Sequence, residues 1–457
     1  MLNWIWLAFI VVAVLIGGFT GHLPDMTKGA FDTAENAVMK IALPLMGIWA
    51  IFLGLMRLAE QSGLVQLLAR VLRPLMRILF PEVPPDHPAM GAMVLNMAAN
   101  MLGLGNAATP LGLRAMAHLE RLNPRPGVAT NAMCTFLAIN TASIQLVPTT
   151  AIGILAVAGS KNAAAIWPTA FFATLCAACC GVISAKFLEK LPFFRLPHIA
   201  APVQQKPQDQ PSSEALTAVE QIEVRPLGKT RAVFLALFLL AFVLMFTLLA
   251  FPDSWKALLA PLSWNVPPPP ADLVGKPVWI RLPLSMAILA VPFMLSFFPL
   301  YAALRGVRVY EQFVEGAKEA FDTARRVIPF LVAMLVSISL LRNAGVIDQI
   351  TNVLRPVFDA LHFPADLLPM VLIRPLSGSA TQGIFVELVQ RFGPDALISR
   401  IAATIYGSTE TTFYVLAVYF GSVAIRQTRH AIAAGLIADT VAVIASVALC
   451  HLMFGGG

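Results

Sequence analysis

The chain has 457 residues, of which 58% are hydrophobic and only 12% charged, with a formal net charge of +7. That charged fraction is about half of what a soluble domain carries, which excludes a water-soluble globular fold and implies an all-α polytopic membrane protein. The surplus positive charge flanks apolar runs instead of gathering in one domain, which argues for loop residues beside a bilayer and against a nucleic-acid surface.

Nine apolar runs read as spans, most of them near the ~20 residues that hydrocarbon requires. They are Leu2 to Thr20, Ile41 to Met56, Gly127 to Ser160, Asn162 to Ala185, Ala232 to Pro252, Leu282 to Leu304, Val327 to Leu341, Ile401 to Ile425 and Ala431 to Cys450. The first lacks a basic leader and a small-residue cleavage site, so it reads as a retained helix and not a secretory signal. The five cysteines (Cys134, Cys176, Cys179, Cys180, Cys450) lie in spans without metal-ligand company and read as helix-packing residues.

Between 191 and 229 the chain carries six prolines and a Gln-rich patch, Gln204 to Gln210, with no apolar periodicity. This predicts a disordered linker joining a first membrane unit, 1–190, to a second, 230–457, with an extra helix at 232–251. Lys186, Lys190, Arg195, Lys229 and Arg231 place the linker in the cytoplasm. Counting back puts the N-terminus and Arg57, Arg70, Arg73 and Arg77 there too. Counting forward, the helix at 232–251 leads out to Pro267–Pro270, and the next span returns to Arg305, Arg308, Arg325 and Arg326. The second unit is then inverted relative to the first; Arg342, Arg355, Arg391 and Arg400 run against the charge bias.

A repeated phrase supports the pairing. Gly63 followed by Val71-Leu72-Arg73-Pro74 recurs at the same spacing as Gly345 followed by Val353-Leu354-Arg355-Pro356. Each copy sits in the same predicted order: a span (38–58; 327–341), an interfacial amphipathic helix (64–80; 346–361), a Gly-interrupted re-entrant hairpin (88–118; 365–391), a broken span (127–158; 401–425) and a closing helix (163–185; 430–454). Irregular backbone at bilayer depth is tolerated only against protein or a watery cavity, so the hairpin tips must meet something polar.

Four segments supply that polarity. The first hairpin offers Asn96, Asn100, Asn106 and Thr109 around Gly103 and Gly105, more amides than helix packing needs. The first broken span offers Asn140, Thr141, Ser143 and Gln145 ahead of Pro148, which removes a helical hydrogen bond. The second hairpin offers Arg374, Ser377, Ser379, Thr381 and Gln382, and the second broken span Tyr406, Ser408, Thr409, Glu410 and Thr411. A charge at mid-membrane costs about 2.5–3.5 kcal/mol, so Arg374 and Glu410 read either as a structural ion pair or as contacts to substrate or a coupling cation. Asp439 reads as a satisfied inter-helix acid. There is no phosphate loop, zinc spacing or nucleophile–base set, and the histidines, among them His22, His87, His362 and His430, are scattered; the reading is not an enzyme and needs no cofactor beyond coupling Na⁺ or H⁺.

The first half, with Gly103-Leu-Gly105-Asn106-Ala-Ala-Thr109-Pro110 and Asn140-Thr-Ala-Ser-Ile-Gln145, resembles the spore maturation A proteins, and the second, with Arg374-Pro-Leu-Ser-Gly-Ser-Ala-Thr381 and Tyr406-Gly-Ser-Thr-Glu410, resembles the B proteins. The resemblance implies a bacterial inner-membrane fusion of the two, in the nucleoside-recognition or gate-domain group related to concentrative nucleoside transporters. In those, hairpins and broken spans bind solute and sodium, and the domain slides as an elevator. The resemblance departs at Gly105-Asn106-Ala-Ala-Thr109-Pro110, where Ala108 takes the place of an acidic residue, so nucleoside specificity does not carry over. The sequence therefore reads as a transporter-like protein for a small polar or anionic solute. A non-transporting scaffold of envelope or spore maturation and a flippase for a lipid-linked substrate are the alternatives, and a homo-oligomer is left open.

The topology has a direct test. Single cysteines are expected to react with a membrane-impermeant reagent from the periplasm at position 265 and not at position 210. The reverse pattern overturns the assignment.

Overall fold

The computed structural model describes residues 2–103, 105–194, 225–260, 267–346 and 363–455, without the side chains of 2–5, 105–107 and 259. Among the described residues there is no strand, only an isolated bridge between Val128 and Gln427. Among the described residues, six helices are long and apolar enough to cross a bilayer. The other three apolar runs are the N-terminal helix and the two broken spans. The predicted linker between 195 and 224 and the predicted amphipathic helix from 347 onward lie outside the described residues.

The first half opens with α1 (Leu2–Thr20) and a long helix made of α2 (Leu23–Asn36), a π turn at Ala37–Ala42 and α3 (Leu43–Gln61). Pro44 has no N–H to give the carbonyl four residues back, and the helix widens just before it. Then follow α4 (Leu64–Leu79), the hairpin α5 (Pro88–Met101) and α6 (Gly105–Arg121), the broken helix α7 (Asn131–Ala142) and α8 (Thr149–Val157), and α9 (Trp167–Leu188). The second half adds α10 (Lys229–Ala250) and α11 (Pro252–Leu259), then α12 (Val278–Leu304) and α13 (Val309–Asn343). A second hairpin, α14 (Leu368–Ile373) and α15 (Gly378–Phe392), a second broken helix, α16 (Leu397–Ser408) and α17 (Thr412–Ser422), and α18 (Ala431–Phe454) complete it.

The spans expected to start at 38 and 327 begin earlier, at Leu23 and Val309. Their leading halves are amphipathic and carry charge, so no apolar run marks them, yet each buries a narrow stripe such as Met26 or Gly316, Ala320 and Ala324. A signal was present in the sequence: Ala30-Phe-Asp-Thr-Ala34 recurs unchanged as Ala320-Phe-Asp-Thr-Ala324.

The two long helices pack antiparallel. Thr33 donates its hydroxyl to Ser339 (3.0 Å) at one end. At the other, a Cβ on Gly316 would stand 2.5 Å from the Arg57 Cβ and 2.7 Å from the Leu53 carbonyl oxygen, and one on Gly54 would stand 2.7 Å from the Phe313 ring. Only small residues permit so close a crossing in a membrane. A four-helix block of α7, α9, α16 and α18 forms the other centre.

Loop contacts define two ends of the molecule. At one, Arg305 donates to the Ser62 carbonyl (3.3 Å), Arg429 to the Phe194 and Ala129 carbonyls, and Arg426 and Gln427 N–H groups to the Gly127 carbonyl. At the other, Ser160 and Lys161 donate to Asp395, and Asn162 to Asp272. The two broken helices therefore run antiparallel. Three of the four arginines that oppose the charge bias are neutralised: Arg342 pairs with Glu387, Arg391 with Asp366 (2.8 Å) and Arg400 with Asp395 (3.4 Å). Arg355 lies outside the described residues.

Gly316→Val should lower stability by about 1–3 kcal/mol through overpacking. Gly47→Val, where nothing lies within 4 Å of the new Cβ, should leave thermal denaturation in detergent unchanged. Equal midpoints for the two variants would remove the close crossing as a structural determinant.

Candidate functional site

Three chain breaks converge between the two ends. The first hairpin breaks after Met101, where Gly103 takes φ 76, a left-handed conformation open to glycine. The first broken helix ends at Ser143, itself left-handed at φ 45, and restarts only after Pro148. The second broken helix stops at Ser408 and restarts at Thr412. Each break frees N–H and C=O groups that hydrocarbon cannot satisfy.

The breaks satisfy one another. Leu146 N–H, in the first unwound segment, donates to the Met101 carbonyl of the first hairpin (2.7 Å), and Phe413 N–H, just past the second, donates to the Pro375 carbonyl of the second hairpin (3.0 Å). The halves are then joined across: Glu410 N–H donates to the Thr141 carbonyl at the end of α7 (3.0 Å). Thr174 of α9 covers the neighbouring Ala142 carbonyl (2.6 Å).

Around this crossing lies a cavity of about 210 Å³. The first hairpin contributes Asn100, Gly103 and Thr109, the first broken helix Asn140, Ser143 and Gln145, and the second Glu410, Tyr414, Val415, Val418 and Tyr419. Asn100 donates to Asn140 Oδ1 (2.9 Å), and Asn140 donates to the Phe136 carbonyl (2.9 Å). Tyr419 donates to the same Asn140 Oδ1 (3.4 Å) and accepts from Asn96 (3.3 Å). Ser143 donates to Glu410 Oε2 (3.4 Å) and accepts from Gln145 (3.4 Å). The lining thus offers amide and hydroxyl donors and acceptors with a single carboxylate, a set that fits a neutral hydroxyl- or amide-bearing group or a cation.

Of the residues expected from sequence, Asn100, Thr109, Asn140, Ser143, Gln145 and Glu410 meet in the cavity. Asn96 stands behind it, holding the Ala108 carbonyl (2.7 Å). Thr141 donates its hydroxyl to Ala138 and gives its carbonyl to the crossing. The side chain of Asn106 lies outside the description.

The second hairpin does something else. Ser377 caps α15 by accepting from Ala380 N–H, Thr381 donates back to the Ser377 carbonyl, and Gln382 accepts from Tyr406 (3.5 Å); Ser379 is half-buried. Of the two readings open for Arg374 and Glu410, the direct ion pair is not formed. Buried Arg374 donates through Nε to Thr409 Oγ1 (2.8 Å) and through Nη2 to the Tyr406 (3.1 Å) and Thr409 carbonyls, with its guanidinium 4.8 Å from the Tyr406 ring centre. A guanidinium caps free carbonyls at a helix C-terminus as well as it pairs a carboxylate. Thr409 also donates to the Ile405 carbonyl, Ser408 contacts Ser446 (3.3 Å), and Thr411 lies beside Gly378. Asp439 is half satisfied: Thr412 donates to its Oδ2, while its buried Oδ1 has no hydrogen-bond partner.

Sequence reasoning missed Tyr414 and Tyr419. The available signal was helical spacing, since Tyr414 and Val418, and Val415 and Tyr419, each recur at four residues on one face of α17, and Glu410 stands four residues ahead of Tyr414.

A family model described as Gate, nucleoside recognition, matches residues 42–159 and 324–426. Each segment runs from a long helix through a hairpin to a broken helix. The chain is 44% identical over 172 residues to spore maturation protein B of Bacillus subtilis (strain 168), covering 38% of this chain and 96% of that protein. It is 43% identical over 175 residues to spore maturation protein A of the same organism, covering 38% of this chain and 89% of that one. Among solved structures, the YdaH transporter of Alcanivorax borkumensis aligns at TM-score 0.47 and 14% identity over 99% of this chain and 97% of that chain.

Arg374→Gln is expected to cost about 3 kcal/mol or more, because bonds from a charged donor to three buried oxygens are lost. Glu410→Gln should change stability by less than about 1 kcal/mol, since Arg374 keeps its partners; an ion pair would instead make that change cost about 3–5 kcal/mol. Thermal unfolding of the two variants separates the arrangements.

Proposed function

The chain belongs to the family of the spore maturation proteins A and B, and from that premise and the lining of the cavity we propose that it is a secondary transporter of the inner membrane. The observation that carries this is the polar cavity built where two broken helices cross. Discontinuous helices are the usual means by which transporters bring backbone and side-chain polarity to the bilayer midplane. A scaffold has no use for amides, tyrosine hydroxyls and a carboxylate enclosed at that depth.

The units 1–190 and 230–457 act in this reading as inverted repeats joined by the linker, with α10 as the odd span that turns the second unit over. The antiparallel course of the broken helices and the two family-model segments support it. The hairpins enter and leave on one side as re-entrant elements. The block of α4–α9 and α14–α18 carries the solute past the long-helix pair in an elevator motion.

The solute is small and polar, neutral or cationic. Among the described residues, Glu410 is the only charged side chain in the cavity lining, so an anion would find repulsion and no countercharge there. Glu410 also binds the coupling Na⁺ or H⁺, with Asp439 behind it as a second acid in the same block. Ala108 stands where a related transporter carries an acid, and its carbonyl is taken by Asn96, so a nucleoside would have to be held by other groups.

The test is uptake into proteoliposomes under imposed Na⁺ and H⁺ gradients, screening neutral hydroxyl- and amide-bearing solutes that include nucleosides. Glu410→Gln should reduce gradient-driven accumulation at least about tenfold while binding of the solute and the melting temperature persist, a tenfold effect being about 1.4 kcal/mol. Accumulation by the variant equal to that of the parent protein would overturn the role of Glu410.

A further inference from the structure

Asp439 of α18 neither lines the cavity nor forms an ion pair among the described residues, and it is only 6% exposed. Thr412, the first residue of α17, donates to its Oδ2, while its Oδ1 is buried and has no hydrogen-bond partner. The contact around it is tight. A Cβ on Gly435, one turn earlier on α18, would stand 2.9 Å from the Thr412 methyl, and Ala438 and Ala442, which flank Asp439 on α18, are fully buried.

The elements packed on this part of α18 supply no donor for Oδ1. The helices α7 and α9 meet it with Ala138, Ala142, Ala177, Ala178 and Gly181, and α16 with Ser408 on Ser446. The charged groups whose fields reach Asp439 are Arg374 and Glu410. Arg374 gives its Nε and Nη2 to oxygens of Tyr406 and Thr409, and Glu410, on the same unwound segment as Thr412, faces the cavity with Ser143 as its donor. A carboxylate at Asp439 would keep a charge in an interior of low dielectric with one oxygen unsatisfied, which is among the most costly arrangements a buried group can have. A proton on that oxygen removes the charge and leaves only a neutral hydroxyl to place.

We propose that Asp439 is a proton-binding site, with the proton on Oδ1, and that this proton is what allows α17 to dock on α18. When the proton leaves, the O–H bond breaks, its electron pair stays on Oδ1 and the proton passes to water. The carboxylate that remains needs hydration, and water reaches Oδ1 only where Thr412 moves off α18. Proton release and separation of the two helices are therefore one event. The segment that moves also carries Glu410, so the same event displaces the carboxylate of the cavity. This site goes beyond the transport reading, and nothing in it depends on which solute is carried.

Infrared difference spectroscopy of the full-length protein in liposomes reads the proton directly, through the carbonyl stretch of a protonated acid. The band is expected at neutral pH in the parent and in Glu410→Gln, is expected to shift in heavy water, and should be lost in Asp439→Asn. Thr412→Val, which removes the donor to Oδ2 at nearly constant volume, should move the band without abolishing it, and assigns it even if Asp439→Asn does not fold. Docking is read by hydrogen exchange at the amides of the first turn of α17. There the rate in the parent relative to Asp439→Asn, or to Thr412→Val at the same pH, should rise by up to about tenfold for each unit of pH, the slope of a one-proton event. A parent protein without the band at neutral pH, or a band that NaCl removes at constant pH as a bound Na⁺ would, overturns the proton site. Relative exchange that does not change with pH overturns its role in docking.

Discussion

Everything at the centre of this protein follows from one constraint: a helix broken inside hydrocarbon must find new partners for the backbone groups it releases, each costing several kcal/mol if it does not. Four breaks, the two hairpin tips and the two unwound segments, solve this collectively. Leu146 N–H goes to Met101, Phe413 N–H to Pro375 and Glu410 N–H to Thr141, so each hairpin is fastened to the broken helix of its own half and the two halves are fastened to each other. Because no break is satisfied alone, the geometry of the cavity is over-determined. The strained conformation at Ser143 persists for the same reason.

The same constraint decides the fate of the two charges that the sequence places at this depth. Arg374 is spent on the C-terminal carbonyls of α16, which have lost their helical partners and already carry the negative end of the helix dipole. With the guanidinium engaged there, Glu410 makes no ion pair with it and accepts from Ser143 at the cavity. The two hairpins are thereby unequal. The second is sealed by Arg374 and its Ser377 cap, and only the first, with Asn100 and Gly103, opens onto the cavity.

Much of this was legible in the sequence, for identifiable reasons. Apolar runs, glycines and prolines mark breaks and spans because lipid leaves few ways to satisfy a backbone, so the break at Pro148 and the break around Glu410 were both readable. The leading halves of the long helices were not, because their charge hides a stripe that only the antiparallel partner completes. Which of the two readings of Arg374 and Glu410 holds was not legible either, for a different reason. Opposite charges in two segments that pack together suggest an ion pair, but sequence does not reveal that carbonyls will compete for the guanidinium, since every residue has one. Tyr414 and Tyr419 were overlooked because the polar phrase ends at Thr412, while the helix that follows carries the same face two further turns.

The division of labour across the linker has a consequence for how the site is assembled. The amides of the lining, Asn100, Asn140 and Gln145, come from the first half, whereas Glu410 and both tyrosines come from the second. Asn140 is held from both sides, by Asn100 of its own half and by Tyr419 of the other. Neither half encloses the cavity, and neither satisfies its own unwound segment at Thr141 and Glu410. Joining the halves in one chain raises the effective concentration of each for the other, which matters most where the contact is a small set of buried hydrogen bonds in a solvent that gives helices little other reason to associate. The constraint that shapes the cavity is therefore also the one that ties the two halves into one functional unit.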